Sequence, residues 1–218
     1  MFSTIPNLEP QHTVRPTQRR PSAKRRIRNW ILFIILIVIS AIWIVIGFER
    51  YGRHLPFIEK EAPPITGMHP LVAAKTKELK TEMDKLGISI IITDDFRSHV
   101  DQNALYEKGR TASGPIVTYA KGGQSYHNYG LAVDFALKTK KGKIVWDMEY
   151  DGNLNGKADW MEVVAVAKKL GFSWGGDWEG FKDYPHLQMD FGYSVGELSR
   201  GFRPPATDET ANGTSNSQ

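Results

Sequence analysis

Nineteen consecutive positions, Trp30 to Phe48, carry no charge and almost no polarity. The segment reads WILFIILIVISAIWIVIGF, and only Ser40 interrupts it. A core helix keeps a polar face, and this one has none, so the pattern predicts a helix long enough to span a hydrocarbon layer of about 30 Å. Further along, the period changes. Val72, Leu79, Met83 and Leu86 recur at helical spacing over 70–86, and Gly87 closes that helix. Ile88 to Thr93 is a β-branched run and predicts a strand. Ser98 with Asp101 three residues on marks a second helix start. After Gly130 the period is two: Leu131, Val133 and Phe135 on one side, Ala132 and Asp134 on the other. After His186 it is two again, with Leu187, Met189 and Phe191 opposed to His186, Gln188 and Asp190. Lys143–Trp146 looks like a further strand. Residues 159–170 form a third helix with Trp160, Val163, Val164 and Ala167 inward, stopped by Gly171.

These elements predict an α+β fold. A small antiparallel sheet is flanked by about three helices, with one transmembrane helix at the N-terminus. The expected organisation is a basic cytoplasmic tail (1–29), a transmembrane helix (30–48), a linker (49–67), one catalytic domain (68–202) and a disordered tail (203–218). Charge supports this division. The chain carries +4 overall, but residues 1–29 hold seven basic groups and one acidic group. The excess of Lys and Arg before the apolar helix places the N-terminus in the cytoplasm and the domain outside. Glu49-Arg50-Tyr51-Gly52-Arg53 is a poor signal-peptidase site, so the helix is read as an uncleaved anchor in the membrane lipid. The remainder is slightly acidic, and nothing in it argues for nucleic acid. Cysteine is absent. That excludes disulfides, Cys-ligated zinc and a cysteine nucleophile.

The candidate chemistry lies in Ser125-Tyr126-His127-Asn128-Tyr129-Gly130-Leu131-Ala132-Val133-Asp134 and, downstream, Asp183-Tyr184-Pro185-His186. Two imidazoles and a carboxylate, His127, His186 and Asp134, suit Zn²⁺ with a fourth position open for water. Two strands would each bury an apolar face and lift one ligand from the other face, and His127 would join from the entering loop. Asp183 stands where a general base can face that water. Ser125 either contacts substrate or closes the loop. Trp178, in the run Trp174-Gly175-Gly176-Asp177-Trp178, either lines a substrate groove or packs in the core. His12, His54, His69 and His99 have no ligand partner at a telling distance.

The S-x-H-x-x-G-x-A-x-D pattern followed by D-x-P-H resembles the zinc D,D-peptidases, which include D-Ala-D-Ala carboxypeptidases and dipeptidases. Within that family it is most similar to the L-alanyl-D-glutamate endopeptidases of bacilli and of phage endolysins, over roughly residues 68–192. The resemblance implies a small α+β fold, one zinc ion and cleavage of peptidoglycan stem peptides. It also implies that Arg97, in an Arg-Ser context, lies across from the zinc and holds substrate. Gln102 and Tyr106 follow at helical spacing, where packing is the simpler role. Three functions stay open: an endopeptidase for the L-Ala-D-Glu bond, a D,D- or L,D-carboxypeptidase on the same fold, and a non-catalytic wall-binding module.

One more motif is complete. Asp151, Asn153, Asn155, Lys157, Asp159 and Glu162 fall in D-x-[DN]-x-[DN]-G-x5-E, the pattern of a calcium loop leading into a helix. No convincing helix precedes it, and position eight is Ala158. The competing reading is an Asn/Gly turn feeding a helix capped by Asp159 and Glu162.

Overall fold

Strand β2 (Ala132–Lys138) is the centre of a five-stranded antiparallel sheet. The computed structural model describes residues 23–51, 55 and 59–206. Along the sheet the order is β1 (Ile90–Asp94), β2, β5 (His186–Gln188), β4 (Ser173–Trp174), and β3 (Ile144–Val145) also pairs with β2. Leu131, Val133, Phe135 and Leu137 alternate into the core, each 0–1% exposed. They share that core with α2 (Pro70–Lys85), through Val72, Leu79 and Met83, and with α4 (Asp159–Lys169), through Trp160, Val163, Val164 and Ala167. The Phe135 and Trp160 rings lie 4.6 Å apart at their centroids. Each such side chain contributes about 1.5–3 kcal/mol by leaving water. With this face of β2 sealed, the alternation turns Asp134 to the opposite face. Helices α3 (His99–Glu107) and α5 (Val195–Ser199) complete the unit. Ser98 caps α3, accepting from Asp101 N at 3.1 Å.

The chain divides after Gly52 into two units, each described by itself. The first contains α1 (Ala23–Tyr51). Within it Ile27–Gly47 has a mean hydropathy of 3.0 with no part buried, and its 21 residues are long and apolar enough to cross a membrane.

The α+β expectation, with a small antiparallel sheet and one apolar N-terminal helix, is borne out. Several details differ. Leu86 is the residue that closes α2 rather than part of its buried face, and it is 46% exposed. Strand β5 stops at Gln188, and Phe191 adopts φ 51°, outside any strand, while Met189 and Phe191 still pack against the core. The tail begins later than residue 203. Arg203 donates to the carbonyl oxygens of Leu198 and Phe202, and His69 Nε2 donates to Pro205 O at 3.0 Å. The second half of the linker also docks, through Lys60 N donating to Arg200 O at 2.7 Å and Ile65 packing on the core. The expectations for residues 1–22 and 207–218, and those for His12 and His54, lie outside the described residues.

Candidate metal centre

Antiparallel register places the first two groups. Asp134 on β2 is directly opposite His186 on β5, so both side chains rise from one face. His127 arrives on a 3-10 turn, Tyr126–Tyr129, immediately before β2. The Ser125 hydroxyl accepts from His127 N at 3.4 Å, and Asn128 Oδ1 accepts from Ser125 N at 3.2 Å, a reciprocal cap. Gly130 ends the turn at φ 66°, and a Cβ there would meet Gly67 O at 2.3 Å. Only glycine lets the chain reverse in that space.

Three ligand atoms converge as a result. His127 Nε2 lies 3.2 Å from His186 Nδ1, and Asp134 Oδ1 is 3.3 Å from each. A tetrahedral ion about 2.0–2.1 Å from each donor sets its ligands roughly 3.3–3.4 Å apart, so the triangle has the right size. The outward nitrogens are committed. His127 Nδ1–H donates to Asp95 O at 2.6 Å and His186 Nε2–H donates to Gln188 Oε1 at 3.0 Å. These bonds select the tautomers whose inward nitrogens carry lone pairs. Asp134 Oδ1 is buried with no hydrogen-bond partner. Three acceptors facing one point repel one another unless a positive charge sits between them.

Electrostatics agree. Burial opposes ionisation of Asp134, yet the two imidazoles outweigh it and hold this carboxyl well below the usual carboxylate range. Burial works against the His127 imidazolium, but Asp134 overcomes it and raises the His127 pKa. Both shifts say that the pocket demands positive charge, and a cation meets that demand with both tautomers intact. Among the described residues, this is the one group of three His, Cys, Asp or Glu side chains with ligand atoms all within 4.8 Å.

The triangle opens into a cleft of about 710 Å³ that also receives Arg97, Ser125, Trp178 and Asp183. A hollow of about 800 Å³ beside it, lined by Pro63, Pro64 and Arg203, contains none of the triad. Asp183 sits on a loop pinned by its N–H to Gly175 O at 3.2 Å, and a Cβ on Gly175 would lie 2.4 Å from Asp183 O. Burial, then the Asp134 charge, push the Asp183 pKa upward. Arg97 pairs with Asp94 and donates to Gln102 Oε1 at 2.8 Å. Gln102 is fully buried, and its amide donates to Ala120 O at 2.8 Å, so it both packs and aims Arg97. Tyr106 instead stacks under Arg110, with the guanidinium carbon 3.8 Å from the ring centroid.

The Ser125 hydroxyl closes the His127 turn, and the residue also lines the cleft. The Trp178 ring lies 5.0 Å from that of His186. Trp174 is core, its Nε1–H donating to Tyr184 O at 2.7 Å. Asp151, Asn153, Asn155 and Lys157 belong to a separate loop before α4, Asp159 and Glu162 to the first turn of α4, and none of them lines the cleft. His69 and His99 stand apart from the triad: the His69 ring packs on Phe191 and the His99 ring faces Tyr129.

Two contributors escaped sequence reasoning as partners of the triad. Asp95 acts through its backbone carbonyl, which leaves no side-chain signal. Gln188 shares a strand face with His186 at spacing two, a signal that was available. Gln188→Ala is expected to weaken metal affinity by about 10–100-fold, the usual cost of losing the group that orients a ligating imidazole. Chelator competition measures this, and unchanged affinity would remove Gln188 from the site.

Comparison with known proteins adds lineage to this geometry. Residues 118–189 match the D-alanyl-D-alanine carboxypeptidase family. Peptidoglycan L-alanyl-D-glutamate endopeptidase CwlK of Bacillus subtilis (strain 168) is 52% identical over 157 residues, covering 72% of this chain and 94% of the relative. The L-alanyl-D-glutamate peptidase of Listeria phage A118 is 34% identical over 129 residues, covering 59% of this chain and 40% of that protein. Among solved structures, the Serratia marcescens L-Ala D-Glu endopeptidase ChiX aligns with a TM-score of 0.40 at 23% identity, over 57% of this chain and 82% of that one.

Proposed function

The chain belongs to the same metallopeptidase family as these peptidoglycan endopeptidases and carboxypeptidases, and from that premise we propose that it hydrolyses the L-Ala-D-Glu bond of peptidoglycan stem peptides with one zinc ion, from a membrane anchor. The observation that carries the reading is the triangle of His127, Asp134 and His186 at 3.2–3.3 Å, opening on a cleft that also holds Asp183 and Arg97. The Bacillus subtilis and Listeria phage relatives each carry this bond in their names, which supports endopeptidase over carboxypeptidase action.

The donor set fits zinc: two neutral imidazoles and one carboxylate, with a side open to the cleft. Zinc held there supplies Lewis acidity that brings water towards ionisation near neutral pH. The protein's own groups do the rest. Asp183 accepts a proton from the attacking water and delivers it to the leaving amine. The Arg97 guanidinium, aimed by Asp94 and Gln102, offers N–H donors to the carbonyl oxygen as it gains charge. Trp178 and Ser125 line the approach.

Digestion of purified stem peptides by the zinc-loaded protein, read by mass spectrometry, tests the bond. L-Ala should be released from a fragment beginning at D-Glu. Loss of terminal D-Ala alone would transfer the chain to the carboxypeptidase reading, and intact peptide with zinc bound would leave a wall-binding module. The anchor rests on the 21-residue, strongly apolar span Ile27–Gly47 behind a basic segment. Protease added outside intact cells should degrade the domain after residue 49 and spare the N-terminal segment. A mature chain beginning near residue 50 would show signal cleavage instead.

A further inference from the structure

The loop from Asp151 to Glu162 takes no part in the chemistry above, yet its polar groups are wound inward. Asp151 Oδ1 accepts from Asn155 N at 3.1 Å and its Oδ2 from Gly156 N at 2.8 Å. Asn153 Oδ1 accepts from Asn155 N at 3.1 Å, and Asn155 Oδ1 from Lys157 N at 2.8 Å. Two left-handed residues bend the chain back: Leu154 at φ 62°, its side chain 86% exposed, and Gly156 at φ 83°. Glu162, on the first turn of α4, faces the same loop, its two carboxylate oxygens accepting from the Asn155 amide at 3.0 and 2.9 Å.

A capped turn does not account for this arrangement. The residue before α4 is Ala158, which offers no side-chain cap. Asp159 is not a cap either, because its Oδ2 accepts from Gly152 N at 3.0 Å, back inside the loop. Its other oxygen, Oδ1, is buried with no hydrogen-bond partner in a residue only 2% exposed. Burial opposes its ionisation first, the Gly152 and Asn153 N–H groups offset part of that, and the charges of Asp151 and Glu162 oppose it again, so its pKa is raised. A buried carboxylate oxygen without a hydrogen-bond partner, in a segment that also carries the Asp151 and Glu162 carboxylates, is a ligand that a cation would satisfy.

We propose that this loop binds one calcium ion through Asp151, Asn153, Asn155, the Lys157 carbonyl, Asp159 and a bidentate Glu162. The three carboxylates are not a compact three-carboxylate cluster. The shell is completed by amide and backbone oxygens at alternate positions, which is how a flexible all-oxygen site reaches six or seven ligands. The absence of nitrogen and sulfur donors disfavours zinc, and the number of protein oxygens exceeds what magnesium ordinarily takes. On binding, Glu162 exchanges the neutral Asn155 amide for the ion. The expected effect is structural. Asn153 Nδ2–H donates to Leu86 O at 3.1 Å, tying the loop to the end of α2, and Trp160 beside Asp159 packs on Phe135, next to Asp134.

The test uses the full zinc-loaded chain in detergent, with calcium, magnesium and terbium chlorides as probes. Trp160 follows Asp159 in the chain, so bound terbium should emit under tryptophan excitation, and excess calcium should quench that emission. A dissociation constant in the range of about 10⁻⁴–10⁻³ M suits a site with few carboxylates. At ten times that concentration calcium should raise Tm by about 3–6 °C. Glu162→Gln and Asp159→Asn should each weaken calcium at least about 10-fold while keeping zinc content and calcium-free hydrolysis. Absence of terbium emission and of a Tm shift at millimolar calcium would overturn the site. An equal shift with magnesium, or a calcium shift that survives in both variants, would overturn it too. Zinc content, read separately, keeps this outcome independent of the catalytic proposal.

Discussion

Alanine at His127, Asp134 or His186 is expected to abolish bound zinc and hydrolysis together. The three donors form a triangle with 3.2–3.3 Å sides, and no fourth His, Cys, Asp or Glu joins them among the described residues. Removing one leaves two ligands, and the loss should exceed the roughly 10–100-fold cost of removing an outer partner. Asp134→Asn separates charge from shape: it preserves volume but removes the anion that both imidazoles face. Elemental analysis and turnover are the readouts, with Tm confirming that each variant folds. Full zinc in any one of them would remove that residue from the centre.

Asp183→Ala is expected to keep zinc and lose about 10²–10⁴-fold in kcat, the usual worth of a positioned general base. The carboxyl is in the cleft but outside the triangle, so metal content should not change. Its pH signature has a definite sign. Burial first, and the Asp134 charge second, raise the Asp183 pKa. The protonated acid therefore persists to higher pH than in a free aspartate, near 3.9, and cannot accept a proton there. Hydrolysis should fall on the acid side with a midpoint above that value, and Asp183→Ala should erase this limb. A cation bound at Asp134 removes part of the second cause and leaves burial. Near-normal kcat in Asp183→Ala would overturn the assignment. Arg97→Ala should keep zinc while kcat/KM falls; if neither kcat nor KM moved, Arg97 would be a structural ion-pair partner of Asp94 only.

Much of the site was legible because it rests on short-range order. The period of two after Gly130 put Asp134 opposite the core-facing Leu131, Val133 and Phe135, and the same period around Leu187 exposed His186 on its own polar face. Those rules need no partner strand. The apolar helix, the α2 and α4 core faces and the closing glycines at 87 and 171 were legible for the same reason. Failures came where a distant segment decided. Leu86 fits the helical period yet falls outside α2, and Phe191 fits the strand period yet lies in a left-handed turn. Residues 203–205 are compositionally a tail, but the His69 ring and the Leu198 carbonyl hold them.

What the sequence determined by itself was the set of donors and the face each occupies, because side-chain chemistry and alternation are local properties. Tertiary structure decided which atoms meet. Pairing of β2 with β5 in one register brings Asp134 to His186, and a slip of one residue would have turned one of them into the core. Gly130, fitted against Gly67, swings His127 to the same point. The Asp95 carbonyl and Gln188 then choose which nitrogens face inward. A ligand triangle is a relation among three segments distant in sequence, and only their packing sets its dimensions.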